Sequence, residues 1–405
     1  MSRRLFAMLL SIMFLNSTAI GLVFPLFSSL FFHPESSFVE AGMSQQMRGI
    51  WLGILLSTMP MTQMIVSSFV GILSDRLGRR PIMIGCLIFG CFGYFFGAYT
   101  ISCGSLYGLL LSRILVGIAS SSAAIENAVI ADCVAAEERG PYFAWISMAF
   151  GTGFVFGPLL GGLFSGTLLF PEESFVRPFL VTGLLLFVNT FLVSFLLPET
   201  RLVAPQKRTW FYREITSIDT PVLYLLGTGF LFCFGWSFYI EMIPVWWVAR
   251  LNFSLNQVSL IFTYGSLWYV LSSGVFVSFL LRKFSPLLIL QRSLLLLSFC
   301  IVLVLLVVER PLSYWVLIPI QHVLAALILP VIATTISQKS LQSQQGKAMG
   351  LYTSADALGW GVSPLIAGGC LGIHFLFPIV VSAIAMLLAR MCARKSGTQA
   401  EPAYE

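Results

Sequence analysis

Gly71-Ile72-Leu73-Ser74-Asp75-Arg76-Leu77-Gly78-Arg79-Arg80-Pro81 is a short charged hinge between two long apolar runs, about 49–73 and 82–101. Each run reaches the roughly 20 residues a helix needs to cross a bilayer, so the hinge is a tight loop on one membrane face. Gly78 permits a turn that a Cβ would resist, and Pro81 suits the first turn of the next helix. Asp75 sits at a helix C-terminus, where the dipole disfavours an anion. It is therefore expected to serve the positive N-terminal end of a different helix. Arg76, Arg79 and Arg80 assign the hinge to the cytoplasmic side, which basic residues mark. The plainer reading is a solvated loop that only fixes topology.

Working outward, 58% of the 405 residues are apolar and 10% charged. Soluble domains of this size do not read that way, and the apolar runs recur to the end of the chain. The fold class is an all-α polytopic membrane protein. Twelve helices are expected, near 5–31, 49–73, 82–101, 106–132, 142–167, 179–197, 221–248, 257–281, 286–308, 312–336, 347–371 and 376–393. The net charge of +6 follows from where the basic residues sit and does not point to nucleic acid. The eight cysteines lie in apolar segments without a Cys-x-x-Cys pair and read as small core residues. His33, His322 and His374 are too far apart in sequence to suggest a metal cluster, and no cofactor is expected. Ser2-Arg3-Arg4-Leu5-Phe6 imitates a twin-arginine export signal. No small-residue cleavage site follows it, and further spans do, so it is read as the start of the first helix.

Charge sets the topology. One set of loops and tails holds Arg3, Arg4, Arg76, Arg79, Arg80, Arg139, Arg201, Lys207, Arg208, Arg213 and most later basic residues to Lys395. The opposite set holds Arg48, Arg177, Arg250 and Arg310. Both termini are therefore expected in the cytoplasm. The longest cytoplasmic connection separates an N-terminal six-helix bundle, 1–198, from a C-terminal one, 221–405, with a linker at 199–220. The halves repeat: an offset of 206 carries Gly140 to Gly346, Gly153 to Gly359, Pro158 to Pro364 and Gly162 to Gly368. It also carries Arg76 to Arg282, with no counterpart of Asp75. Two repeated halves suit a carrier that rocks about a central site, although a fused structural bundle would repeat as well.

The hinge, Gly-x-x-x-Asp-Arg-x-Gly-Arg-Arg between two spans, resembles the signature loop of the major facilitator superfamily. Leu15-Asn16-Ser17-Thr18-Ala19-Ile20-Gly21-Leu22-Val23-Phe24-Pro25 resembles the first helix of its tetracycline-efflux branch. There an acid commonly occupies the position of Asn16, and a second proline that of Ser28. Asn16 can hydrogen-bond substrate or a neighbouring helix, and both readings stay open. Arg113-Ile114-Leu115-Val116-Gly117 resembles the family's Arg-x-x-x-Gly motif. Gly153 to Gly162, with Gly157, Pro158 and Gly161, resembles a helix-packing motif found mainly in exporting antiporters. Glycines four apart allow close helix approach, and the proline bends the axis. Leu197-Pro198-Glu199-Thr200 is similar to the family's sixth-helix ending, and Asp132 to an acid that pairs with a hinge arginine. The resemblance implies two six-helix bundles around a cavity opening alternately to each side.

Charged groups inside the spans are the remaining candidates. A buried arginine costs roughly 2.5–3.5 kcal/mol on insertion scales, so Arg113 faces the interior or a cavity, or pairs with backbone carbonyls. Glu126 lies thirteen residues on, about 20 Å along the axis, and needs a partner of its own. Glu241 is about 30 Å from Thr220 along its helix and is read either as an interfacial side chain or as a site residue. Gln321 and His322 lie on a helix that lines the cavity in relatives; His322 titrates, binds substrate or is a satisfied core residue. Asp356 is the first choice for the proton-coupling residue and Glu126 the second. A simple hydrogen bond to Ser354 or to a neighbouring helix is the competing account of Asp356.

No phosphate-binding Gly-x-x-x-x-Gly-Lys motif and no Gly-x-Ser-x-Gly or His-Glu-x-x-His enzyme motif occurs. The expected function is a proton-coupled exporter of small amphiphilic molecules, acting as a monomer in a bacterial inner membrane. Its partners are a small-molecule substrate, protons and the lipid bilayer. The alternative is an uptake carrier for a polar or anionic metabolite, held by Arg113 and His322; a non-transporting scaffold is the reading from another class. The hinge residues Asp75, Arg76, Gly78, Arg79 and Arg80, with Asp132, are expected to form a conformational latch, Asp75 facing the helix that begins near Gly346.

Overall fold

A computed structural model describes residues 3–34, 36, 38–40, 42–134, 139–166, 174–200, 219–340 and 345–398. Most of the linker expected at 199–220, with Arg201, Lys207, Arg208 and Arg213, lies outside the described residues, as do the side chains of Arg139 and Lys347. Among the described residues there are helices and no strands. In chain order they are α1 (Arg3–Phe32), α2 (Gln45–Leu77), α3 (Arg79–Ser102), α4 (Leu106–Ser120 continuing as Ser122–Cys133), α5 (Arg139–Ser165) and α6 (Val176–Leu196). Then follow α7 (Thr220–Leu251), α8 (Leu255–Lys283), α9 (Pro286–Val307), α10 (Pro311–Lys339), α11 (Gln345–Cys370) and α12 (Phe377–Thr398).

Eleven of these are long and apolar enough to cross a membrane; α11 is a 26-residue helix but carries Thr353, Ser354 and Asp356 along its length. The outer surface is itself apolar. Phe69, Phe92, Phe195 and Leu306 are 61–77% exposed, an arrangement that water would penalise and lipid does not. Helices hydrophobic on every side cannot be held together by the hydrophobic effect within lipid, so close backbone packing takes over.

Two compact units result: Met1–Gln206 with Pro244–Leu267, and Lys207–Ile243 with Trp268–Glu405. In the first, the glycines of α5 press directly on α1. A Cβ at Gly157 would stand 2.7 Å from the Cα of Gly21, and one at Gly153 2.7 Å from the Thr18 nitrogen. Gly161 meets the Leu22 carbonyl, and Gly162 meets Asn256 and Ser259 of α8. In the second unit Gly359 of α11 repeats the contact on α7, where a Cβ would lie 2.8 Å from the Phe230 oxygen and 3.0 Å from the Phe234 nitrogen.

These equivalent contacts refine the repeat. Gly153 and Gly359 differ by 206, but their partners Phe14 and Phe230, or Thr18 and Phe234, differ by 216. Two helix breaks lie at nearly the same offset, 217. Helix α1 is interrupted between Val23 and Leu26, and α7 between Ile240 and Ile243. Proline removes a backbone donor and its ring collides with the carbonyl four residues earlier; Pro25 acts so on α1 and Pro244 on α7. Helix α8 carries an irregularity of another kind, a π-helical turn at Ser272–Phe276.

Candidate functional site

The first unit contains a chain of polar side chains linking three helices. Glu126, on the second half of α4, is 0% exposed. Its Oε1 accepts a hydrogen bond of 3.0 Å from the Asn16 amide of α1, which lies 3.4 Å from the Ser122 hydroxyl as well. Asn189 of α6 donates to Asn16 Oδ1 at 2.8 Å and approaches the Ile12 carbonyl at 3.3 Å. Glu126 Oε2 has no hydrogen-bond partner. Asn16 therefore binds a neighbouring helix, and it supplies the partner that Glu126 required. Nearby, α4 is interrupted at Ser121, and Gln63 of α2 donates to the Ser120 carbonyl at 3.1 Å. That bond satisfies an acceptor at the irregular turn.

Arg113 sits on the first half of α4, 5% exposed. Its guanidinium lies 4.9 Å from the Phe27 ring centre, with Nη2 3.1 Å from the Met59 sulfur. Nε and Nη1 make no well-formed hydrogen bond, and the buried Tyr94 hydroxyl beside them interacts with the guanidinium. Pairing with backbone carbonyls is thus not how this cation is held. A cation–π contact and a thioether meet only part of what five guanidinium N–H groups offer.

In the second unit Gln321 and His322 divide their duties. Gln321 accepts from the Tyr239 hydroxyl at 3.0 Å and donates to the Cys300 carbonyl at 3.1 Å, tying α7, α9 and α10 together. His322 Nδ1 lies 2.9 Å from the Ile318 carbonyl, and the ring stands edge-on to Trp236 at 5.2 Å. A carbonyl only accepts, so Nδ1 carries the proton in the neutral ring and Nε2 is left as an acceptor. Asp356 stands beside Cys233 and Tyr352, its Oδ1 buried without a hydrogen-bond partner. Ser354 donates to the Gly350 carbonyl at 3.1 Å, while Cys233 of the neighbouring helix α7 interacts with Asp356, so the neighbouring-helix account of this acid stands beside the coupling one. Glu241 falls in the α7 break and is 7% exposed, with Oε2 unpartnered.

At the hinge, Gly78 has φ +107°, a conformation that favours glycine. Arg79 bridges two acids, with Nη1 2.5 Å from Asp75 Oδ1 and Nε 2.9 Å from Asp132 Oδ2. The Ser74 hydroxyl accepts a further bond from it at 2.8 Å. The anion at a helix N-terminus is Glu199: its oxygens accept the Arg79 N–H at 2.8 Å and the Arg80 N–H at 3.2 Å. Arg80 also donates to the Ser194 carbonyl, while Arg76 is exposed.

Sequence reasoning missed Asn189, Tyr94 and the capping role of Glu199. Asn189 had one available signal, a lone amide within the apolar run of α6.

The sequence model of the Major Facilitator Superfamily matches residues 7–364 and again 225–403. This chain belongs to the Major Facilitator Superfamily. It is a multi-pass integral membrane transporter, not an enzyme. Among curated superfamily relatives, the class B tetracycline resistance protein of Escherichia coli is 32% identical over 192 residues, covering 47% of this chain and 44% of that protein. The quinolone resistance protein NorA of Staphylococcus aureus (strain Mu50) is 28% identical over 355 residues, 84% of this chain and 85% of NorA. Two solved structures share the fold. The human organic anion transporter MFSD10 (TETRAN) has a TM-score of 0.70 at 21% identity, covering 96% of this chain and 99% of that one. A D-xylose–proton symporter has a TM-score of 0.75 at 15% identity, covering 97% and 96%.

Proposed function

We propose that this transporter is a proton-coupled exporter of small amphiphilic molecules, working by alternating access as a monomer in a bacterial inner membrane with both termini cytoplasmic. The names of its tetracycline- and quinolone-resistance relatives support this direction. The observation that carries it is Asp356, a half-buried carboxyl group within the long helix α11 that stands beside Tyr352 and Cys233, keeps its buried Oδ1 without a hydrogen-bond partner and has no basic partner among the described residues. Such a group does not stay charged and unpaired in a low-dielectric interior without cost. Gaining and losing a proton as water access alternates resolves that cost and couples it to the cycle.

The decisive experiment is Asp356→Asn in reconstituted inside-out vesicles. The variant is expected to lose accumulation driven by a proton gradient and to keep exchange at equal substrate concentrations. Full gradient-driven accumulation in the variant removes Asp356 from the mechanism.

One observation favours a second reading. Nε and Nη1 of Arg113, which make no well-formed hydrogen bond, present a fork suited to a carboxylate or phosphate, as in an uptake carrier for an anionic metabolite. Right-side-out vesicles that accumulate an anion, and stop doing so in Arg113→Gln, would support uptake over export.

A further inference from the structure

Glu126 is the buried acid of the first unit, and its surroundings differ from those of an acid held by a cation. The charged residues of the helices around it stand elsewhere. Arg3 and Arg4 open α1, Arg48, Asp75 and Arg76 lie toward the ends of α2, Arg79 and Arg80 open α3, which also carries Cys86, Cys91 and Tyr94, and Arg177 lies in the first turn of α6; the side chain of Arg139, at the start of α5, is outside the described residues. On α4 itself Arg113 and Asp132 are thirteen and six residues away, about 20 Å and 9 Å along the axis. What faces the carboxyl group is an amide. Asn16 donates to Oε1, and Asn189 in turn fixes Asn16 by donating to its oxygen. With Asn189 donating to its oxygen, Asn16 turns its NH2 end toward the acid. Oε2, unpartnered, is the oxygen free to carry a proton.

We propose that Glu126 is a second proton-exchange site, in the first unit, and that Asn16 and Asn189 are positioning residues forming an amide bracket that aims its carboxyl group. An acid absent from position 16 of α1 is thereby supplied across a 3.0 Å contact from α4. The step is simple: the O–H bond at Oε2 breaks, the proton passes to a water molecule, and the electron pair stays on a carboxylate whose Oε1 is still held by Asn16. Reprotonation at Oε2 reverses it. This inference rests on the proposed proton coupling, and its test separates the two.

The test exchanges acid and amide without changing side-chain length. In proteoliposomes carrying ethidium as the probe, Glu126→Gln should lose gradient-driven accumulation while keeping exchange at equal concentrations. The double variant Asn16→Asp with Glu126→Gln restores an acid facing an amide, with Asn189 still donating to position 16, and should regain accumulation. Asn189→Ala should keep the acid and shift the pH profile of transport. A double variant as inactive as Glu126→Gln, though equally monodisperse in detergent, overturns the bracket. Unaltered accumulation in Glu126→Gln overturns the site.

Infrared difference spectra of the substrate-free protein across pH give an independent readout. The expected result is a protonated-carboxyl band that disappears in Glu126→Gln, returns in the double variant, and titrates at a different pH in Asn189→Ala. Absence of any such band overturns the assignment whatever the transport result. If the band titrates and no proton-driven transport occurs, the coupling reading falls and the proton site stands.

Discussion

Replacing Gly78 by Ala should unlatch the N-terminus of α3, and the size of the effect can be worked from its surroundings. At φ +107° an L side chain is strained, by about 1–3 kcal/mol. The new Cβ would also lie 2.9 Å from Glu199 Cδ and collide with its Oε2. The carboxylate must retreat, so the Arg79 and Arg80 amides lose their acceptor. Because Glu199 is solvent-exposed, those two bonds together contribute about 1–2 kcal/mol. Gly78→Ala should therefore cost about 2–5 kcal/mol, and Glu199→Gln about 1 kcal/mol. The two act on one cap, so the double variant should cost no more than Gly78→Ala alone. Equilibrium unfolding by dodecyl sulfate in mixed micelles, followed by circular dichroism, measures all three. Strictly additive losses would refute the shared cap, and a Gly78→Ala variant as stable as the wild type would refute the strain argument.

Asp75→Asn removes one of the two acids on Arg79 and is expected to shift the population toward the inward-open state without preventing folding. Cytoplasmic-side cysteine cross-links between α2 and α11 should fall, and unchanged cross-linking would sink the latch. Gln321→Leu strands the buried Tyr239 hydroxyl and Cys300 carbonyl, at a cost of about 2–4 kcal/mol. The same unfolding assay should detect it, and a loss under roughly 0.5 kcal/mol would contradict the tie.

Much of the architecture was legible because lipid imposes a coarse alphabet. Apolar runs of sufficient length, a charged hinge and glycines four apart each have one physical use, and α2, α3 and α5 follow from them. The repeat was legible only in part. A search at 206 finds Gly153 and Gly359, but the residues they press on are related by 216, so no single offset aligns α5 with α11 and α1 with α7 together. A difference in loop length between the halves hides one helix pair from the other.

The candidate site was less legible, for a different reason. Glu126 announced itself by needing a partner, and Asn16 by standing where an acid is usual. Their contact spans 110 residues of sequence, and no local pattern encodes which faces of α1 and α4 meet. Asn189 gave no more than its polarity. Glu199 sat within a recognisable motif, yet its role depends on the fold returning α6 to the start of α3.

The irregularities of α7 and α8 bear on how the molecule moves. Pro244–Leu267 groups with the first unit although the chain on either side of it belongs to the second. It is bounded by a helix break at Glu241–Met242 on one side and closely followed by the π-turn at Ser272–Phe276 on the other. At both places the regular backbone ladder is already broken, so bending there sacrifices few additional hydrogen bonds. The segment is itself a hairpin, in which the end of α7 and the start of α8 are joined at Asn252–Ser254, so backbone that departs from the regular helix marks its middle as well as both of its flanks.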